Sequence, residues 1–173
     1  MRRLATLPPV TRLVLILAIV VIAIIIIAGF VLGMNPGPAQ PIPFSHRIHA
    51  GTKDLSCFFC HPGASRGLNA GLPSVEKCIL CHKVIASQFK PIADLRRYYD
   101  RRQPIPWIRI AFLPDFVHFN HECHIAGGHD CGDCHGDVKG MDRIKLVHEF
   151  KMGFCIDCHT KNGVSVNCFL CHY

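Results

Sequence analysis

Ten of the eleven cysteines fall in C-x-x-C pairs, and each of the five pairs is followed at once by a histidine. The sets are Cys57/Cys60/His61, Cys78/Cys81/His82, Cys131/Cys134/His135, Cys155/Cys158/His159 and Cys168/Cys171/His172. This is the attachment signature of c-type haem. Two intervening residues let both sulfurs form thioethers along one porphyrin edge, and the next residue sets its imidazole on the iron from the same side. Tetrahedral zinc sites also use paired C-x-x-C, but they require no histidine directly after each pair. Disulfides, the other use of cysteine outside the cytoplasm, leave the same five histidines unexplained. The expectation is five covalently bound haem c groups, with His61, His82, His135, His159 and His172 as proximal iron ligands.

Five irons need five ligands on their distal faces. Seven histidines lie outside the motifs, and four of them form a repeat: Phe44-Ser-His46-Arg-Ile-His49-Ala-Gly and Phe119-Asn-His121-Glu-Cys-His124-Ile-Ala-Gly. Histidines at i and i+3 share a helical face one turn apart, so each pair can serve two haems packed close together. His46, His49, His121 and His124 are therefore expected distal ligands. For the fifth, Met152 stands just before Cys155 and Met141 follows His135, while His148, His118 and His129 compete. A methionine ligand would raise the potential of one haem above that of its bis-His neighbours. Cys123 is left over. Its surroundings, Asn120-His-Glu-Cys-His124, look like a haem motif whose first cysteine is Asn, but a free, partly buried thiol is the simpler reading.

These motifs must be held by a short chain. Of its 173 residues, Leu13 to Leu32 form an unbroken apolar run of 20, which spans about 30 Å as a helix, the thickness of a bilayer core. The run is long for a secretion signal, and Gly33-Met-Asn-Pro36 offers no small-residue cleavage site. Arg2, Arg3 and Arg12 precede it, which predicts a cytoplasmic N-terminus and an extracytoplasmic haem domain, in the compartment where haem is attached. No cysteine occurs before Cys57, which argues against a lipoprotein-type anchor. Part of the formal charge of +7 is placed there as well: residues 43–173 hold 16 basic and 12 acidic groups, too small an excess to suggest nucleic acid.

The expected organisation is a cytoplasmic tail (1–12), a transmembrane helix (13–33), a Pro/Gly spacer (34–43), a two-haem module (44–82), a connector (83–117) and a three-haem module (118–173). About 26 residues per haem cannot bury a large side-chain core, so the haems themselves must act as core and staples. The fold class expected is mainly α with much irregular loop and almost no sheet. Within the connector, Ile85 to Arg102 reads as helix ending before Pro104, and Gln103 to Ile110 as extended. Trp107 should pack on haem or a partner. The cluster Arg96, Arg97, Arg101 and Arg102 reads as a solvated helix face, or else as a partner for propionates, headgroups or another subunit.

The motifs PFSHRIHAG, AGLPSVEKCILCH, QPIPWIRI, LPDFVHFNHECHIAG, CGDCHGDVKGMD and MGFCIDCH resemble those of small multihaem cytochromes of the c7 and class III type. The closer resemblance, from Pro43 onward, is to the ActA-type pentahaem, membrane-anchored cytochrome c subunit of alternative complex III. The resemblance implies that His46 serves the haem at His61 and His121 the haem at His135, with His49 and His124 ligating other haems of their modules. It also favours methionine, Met152 or Met141, over His148 as fifth distal ligand. His118 and Cys123 depart from the family pattern. The role implied is an electron-transfer subunit, without a substrate site of its own, in a quinol:electron-acceptor oxidoreductase of a respiratory or photosynthetic chain. Its partners would be an NrfD-like membrane quinol-oxidising subunit, an iron–sulfur subunit and a monohaem cytochrome c, passing electrons to a cytochrome c, a cupredoxin or a terminal oxidase. The alternative is a self-sufficient quinol dehydrogenase of the NapC/NrfH sort, which would be an enzyme with one haem lacking a strong distal ligand. The spacer and the H-x-x-H repeat count against it. A nitrite-type reductase is a poorer fit, because all five motifs end in histidine.

Overall fold

The computed structural model describes residues 8–33 and 37–173, and the chain divides into an N-terminal unit and a unit of Gly37–Tyr173. Arg2, Arg3 and the first residues of the spacer lie outside the described residues. The N-terminal unit is one helix, α1 (Pro9–Gly33), long and apolar enough to cross a membrane. Its apolar side chains are exposed all round, as expected where lipid rather than protein is the surrounding medium. Ile and Val are mediocre helix formers in water, but without water the backbone can bond only to itself. The helix begins four residues before the apolar run, at a proline whose fixed φ and missing N–H suit a first turn, and so includes Arg12.

The second unit contains only helices, tight turns and loops, with no strand among the described residues. Its helices are α2 (Cys57–Cys60), α3 (Val75–His82), α4 (Lys90–Asp100), α5 (His121–Ala126), α6 (Cys131–His135) and α7 (Met152–Lys161). A π-turn (Arg47–Thr52) and three 3-10 turns (Pro62–Ser65, Val138–Gly140 and Cys168–Leu170) complete it. Four C-x-x-C pairs therefore sit on helix and the fifth on a 3-10 turn. In each case a spacing of three residues brings both sulfurs to one side.

The side-chain core is small. Ile42, Val75, Ile92, Leu95 and Ile105 form its buried cluster, with Cys78, Ile79, Tyr98 and Trp107 partly buried against it. Trp107 thus packs on the protein's own core, and α4 buries Ile92 and Leu95 while Arg97 pairs with Asp94 at 3.1 Å. Arg96 donates to the carbonyls of His82 (3.4 Å) and Lys83 (3.2 Å), tying α4 to the end of α3. The helix is shorter than the sequence suggests, starting at Lys90 rather than Ile85. Pro91 explains this: in a helix interior its ring would collide with the carbonyl four residues back, whereas in the first turn it is tolerated.

Two backbone junctions bring distant parts of the unit together. In one, the π-turn lies on the turn Val138–Gly140. The Arg47 N–H donates to the Met141 carbonyl at 2.9 Å, the Arg47 and Ser45 side chains both donate to Asp142 at 2.7 Å, and Lys139 pairs with Asp54 at 3.0 Å. In the other, the start of α5 lies on the segment after α2: His121 and Glu122 donate their backbone N–H groups to the carbonyls of Leu68 (3.3 Å) and Gly67 (3.2 Å).

Candidate functional site

Seven histidine rings share one arrangement. Nδ1 lies 2.7–3.1 Å from a backbone carbonyl oxygen in His49 (Ser45), His61 (Gly71), His82 (Ile85), His121 (Leu68), His124 (Asn120), His159 (Ser165) and His172 (Phe116). A carbonyl can only accept, so Nδ1 must carry the proton and Nε2 must present its lone pair. This is how an imidazole is oriented for a metal. All seven belong to the set expected to ligate iron. The local fold explains two of the bonds directly: His49 and His124 each stand four residues after their acceptor, on the turn they occupy.

Of the other two members of that set, His46 is partly buried. Burial, then His61 and His49 nearby, lower the pKa of His46 to about 4, so its ring is neutral at pH 7. Its Nδ1 is buried with no hydrogen-bond partner, an arrangement that costs free energy unless some further group satisfies the ring. Burial also lowers the pKa of His135, with His121 and His61 as the next causes.

The rings come together in pairs. His49 faces His82 with centroids 6.0 Å apart, and His124 faces His159 at 6.1 Å. Two imidazoles on opposite sides of one metal, with each nitrogen about 2 Å from it, place their centroids about 6 Å apart. Each H-x-x-H turn is held by its phenylalanine. Phe44 meets His46 edge-on at 4.9 Å and stacks on His49 at 4.3 Å, and Phe119 repeats this with His121 (4.8 Å) and His124 (4.4 Å).

The cysteines expected to form thioethers are not equally placed. Cys81, Cys158 and Cys168 are exposed, whereas Cys57, Cys60, Cys78, Cys131, Cys134, Cys155 and Cys171 are partly buried. Cys158 departs furthest from the expected role. Its Sγ accepts a hydrogen bond from the Asn162 side chain at 3.5 Å, and the same Asn162 nitrogen donates to the Cys158 carbonyl at 2.9 Å. The reason is local: Asn162 follows Cys158 by four residues at the end of α7, one turn further along the same face.

The competing side chains are engaged elsewhere. His118 stacks on Tyr173 at 4.4 Å, His148 stacks on Phe154 at 5.2 Å, and His129 turns Nδ1 toward Asp133 at 3.5 Å. Met152 opens α7 and is 69% exposed, whereas Met141 is half-buried beside the π-turn. What surrounds His172 is Phe116, which holds its Nδ1, and His118, whose backbone N–H donates to the Cys171 carbonyl at 2.7 Å. Cys123 is exposed on α5 rather than partly buried. The Asn120 side chain, in place of a first cysteine, accepts from the Cys123 N–H at 3.4 Å as a helix cap.

No protein-family model matches the chain. Over 160 residues it is 30% identical to the multihaem cytochrome c subunit of menaquinone reductase from Nitratidesulfovibrio vulgaris (strain Hildenborough), a match covering 77% of this chain and 76% of that one. The chain belongs to this multihaem cytochrome c family. Covalent haem c is the cofactor that family membership implies, and the residues of this cytochrome fit it. All eleven cysteines are free thiols. Burial is the largest cause raising the pKa of Cys60, Cys78, Cys131, Cys134 and Cys155, which keeps those thiols protonated before they react. Among the described residues no three His, Cys, Asp or Glu side chains converge on one point, so the cysteine pairs do not build the four-ligand cage that zinc takes.

The acceptors of the Nδ1 protons are the functional groups that sequence reasoning missed. They are backbone carbonyls of residues as ordinary as Gly71, Leu68, Ser165 and Phe116, and every residue carries a carbonyl. Only where the acceptor is local, as for His49, His124 and His82, does the sequence hold a signal that could have been used.

Proposed function

We propose that this chain is the pentahaem electron-transfer subunit of a membrane quinone–quinol oxidoreductase complex, of the kind represented by alternative complex III. The observation that carries the reading is the pairing of His49 with His82 and of His124 with His159 at the separation of trans ligands, in a chain with five attachment motifs. Haem iron supplies a one-electron couple between ferric and ferrous states. The chain's residues keep that couple clean. His61, His82, His135 and His159 as proximal ligands, with His46, His49, His121 and His124 as distal ones, would hold four of the haem irons with residues of this chain alone. Nδ1–H bonds to carbonyls hold the rings in place, so oxidation and reduction require little rearrangement. Met152 or Met141 is the fifth distal ligand in this reading. The membrane helix anchors the chain with its N-terminus in the cytoplasm and its haems outside. Its partners are an NrfD-like quinol-oxidising subunit, an iron–sulfur subunit and a monohaem cytochrome c.

The relative favours a second reading of direction. That protein is named as a subunit of a menaquinone reductase, so in this chain too electrons could run toward menaquinone rather than away from quinol. Extraction in mild detergent, with subunit identification and a haem-to-protein ratio, tests both. A large particle containing a polytopic subunit and an iron–sulfur subunit, with five haems per copy of this chain, supports the proposal. Haems reduced by added quinol then favour the first direction, and prereduced haems oxidised by a menaquinone analogue the second. A particle of this chain alone that oxidises quinol would instead indicate the self-sufficient dehydrogenase.

A further inference from the structure

The motifs follow one another along the chain, but the contacts between them do not follow chain order. The second motif meets the first: Lys77, on the helix carrying Cys78 and Cys81, lies over the Phe59 ring inside the first motif at 4.6 Å. The turn bearing His46 and His49 spans the same two sites, with His49 beside His82 and its carbonyl accepting from the N–H of Leu55, two residues before Cys57, at 3.0 Å. The first motif then meets the third, not through sequence but through both backbone junctions. His121 is held by Leu68, seven residues after His61, through its backbone N–H and through Nδ1 at 2.7 Å. Lys139, four residues after His135, reaches Asp54, three residues before Cys57.

The third motif meets the fourth. His124, on α5, lies beside His159, with ring centroids 6.1 Å apart. Phe150 bridges the two sites, 5.9 Å from the His135 ring and 5.6 Å from Phe154, the neighbour of Cys155. The fourth motif meets the fifth across a short loop: His159 bonds to Ser165, three residues before Cys168. The fifth is also tied to Phe116 and His118, which lead into α5.

From these contacts, and resting on the pentahaem reading above, we infer that the five haems form one unbranched row, in the order of their proximal ligands His82, His61, His135, His159, His172. The second haem is an end of the row and the first is internal, flanked by the second and the third. Each H-x-x-H turn binds one neighbouring pair, His46/His49 at one half of the row and His121/His124 at the other. The junction of Arg47, Asp142, Lys139 and Asp54 with the Leu68–His121 bonds joins the two halves. With haems bound, an electron crossing from one half of the row to the other would pass between the haems of His61 and His135.

Iron positions in the haem-loaded complex, located by electron microscopy in detergent, test this. The expected result is that the His61 iron has two nearest irons, those of His82 and His135, and that the His82 and His172 irons have one each. A His82 iron lying next to the His135 iron, or a His61 iron at an end, overturns the order. A solution measurement on the same complex is independent of image quality. In a redox titration followed by nuclear magnetic resonance with assigned haem methyl signals, reduction of the His61 haem should displace the midpoints of the His82 and His135 haems most. A larger effect on the His159 or His172 haem overturns the row. A haem-to-protein ratio below five would instead remove the pentahaem reading itself, whereas five haems in another arrangement would remove only the order.

Discussion

His49 and His82 face one another at 6.0 Å between ring centroids, each with Nδ1 on a backbone carbonyl and Nε2 left to present its lone pair. They come from different elements, the π-turn and the last residue of α3, yet they meet at the distance of two ligands on one iron. Replacing His49 should therefore change one haem and spare four. His49→Met is expected to raise a single midpoint potential, because a thioether favours the ferrous state relative to imidazole. His49→Ala should turn about one-fifth of the haem high-spin, as one iron of five loses a strong-field ligand. Potentiometry and electron paramagnetic resonance on the purified protein read both. Unchanged spectra in both variants would show that His49 is not a ligand.

The sites were legible where chemistry demands a particular side chain at a particular spacing. A thioether needs Cys, a proximal ligand needs His, and a turn with two ligands needs them three apart, so Cys57 to His172 and the H-x-x-H turns stand out in the sequence. The mainly helical class and the helix long and apolar enough to cross a membrane were legible for a similar reason, since composition and length decide them. The start of α4 was not, because apolar periodicity runs through Ile85 and only Pro91 sets the boundary. Nor was the exposure of Cys158 or its bond to Asn162, since the motif fixes which residues react and not how each is covered. Least legible is which motif neighbours which. That depends on backbone contacts such as Leu68 with His121, made by groups common to all residues.

Gly51 gives the junction between the two halves its closeness. A Cβ built there would stand 2.4 Å from the Lys139 carbonyl oxygen, and backbone cannot yield as a flexible side chain would. Gly51→Ala should push the π-turn away from Val138–Gly140 and destabilise the fold by about 1–3 kcal/mol, the usual cost of forcing an extra carbon into a packed contact. Gly67, with open space around its Cβ position, is the control, and Gly67→Ala should have little effect. Chemical denaturation of the two variants side by side makes the comparison. Equal stability would mean that the contact at Gly51 is not tight in solution.

Cys123 stands in a sequence that imitates a haem motif, but Asn120 occupies the first cysteine position and caps the helix instead. His124 is moreover directed at His159, which leaves it no role as the proximal ligand of a sixth haem. Cys123→Ser should leave the haem-to-protein ratio unchanged and remove the one thiol that alkylating reagents can still modify in the loaded protein. A ratio lowered by one would show that Cys123 carries a haem. Asn120→Ala is the companion variant: losing the cap should cost roughly 0.5–2 kcal/mol, toward the lower end for so long a bond.

Acid should weaken the junction through Asp142. Hydrogen bonds from Arg47 and Ser45 hold its carboxyl below the ordinary carboxylate value of 3.8, so its proton binds more readily to the unfolded chain than to the folded one. The stabilisation is complete above that ordinary value and is lost as pH falls through the depressed folded one. Both partners are exposed, and water screens the pair, so the effect is small. Asp142→Asn removes the titration. Wild type should therefore be the more stable protein at neutral pH, and the two denaturation midpoints should converge as the solution is taken below the normal carboxylate range. A gap that stays constant with pH would show that the carboxylate's charge is not what joins Arg47 to the loop after the third motif.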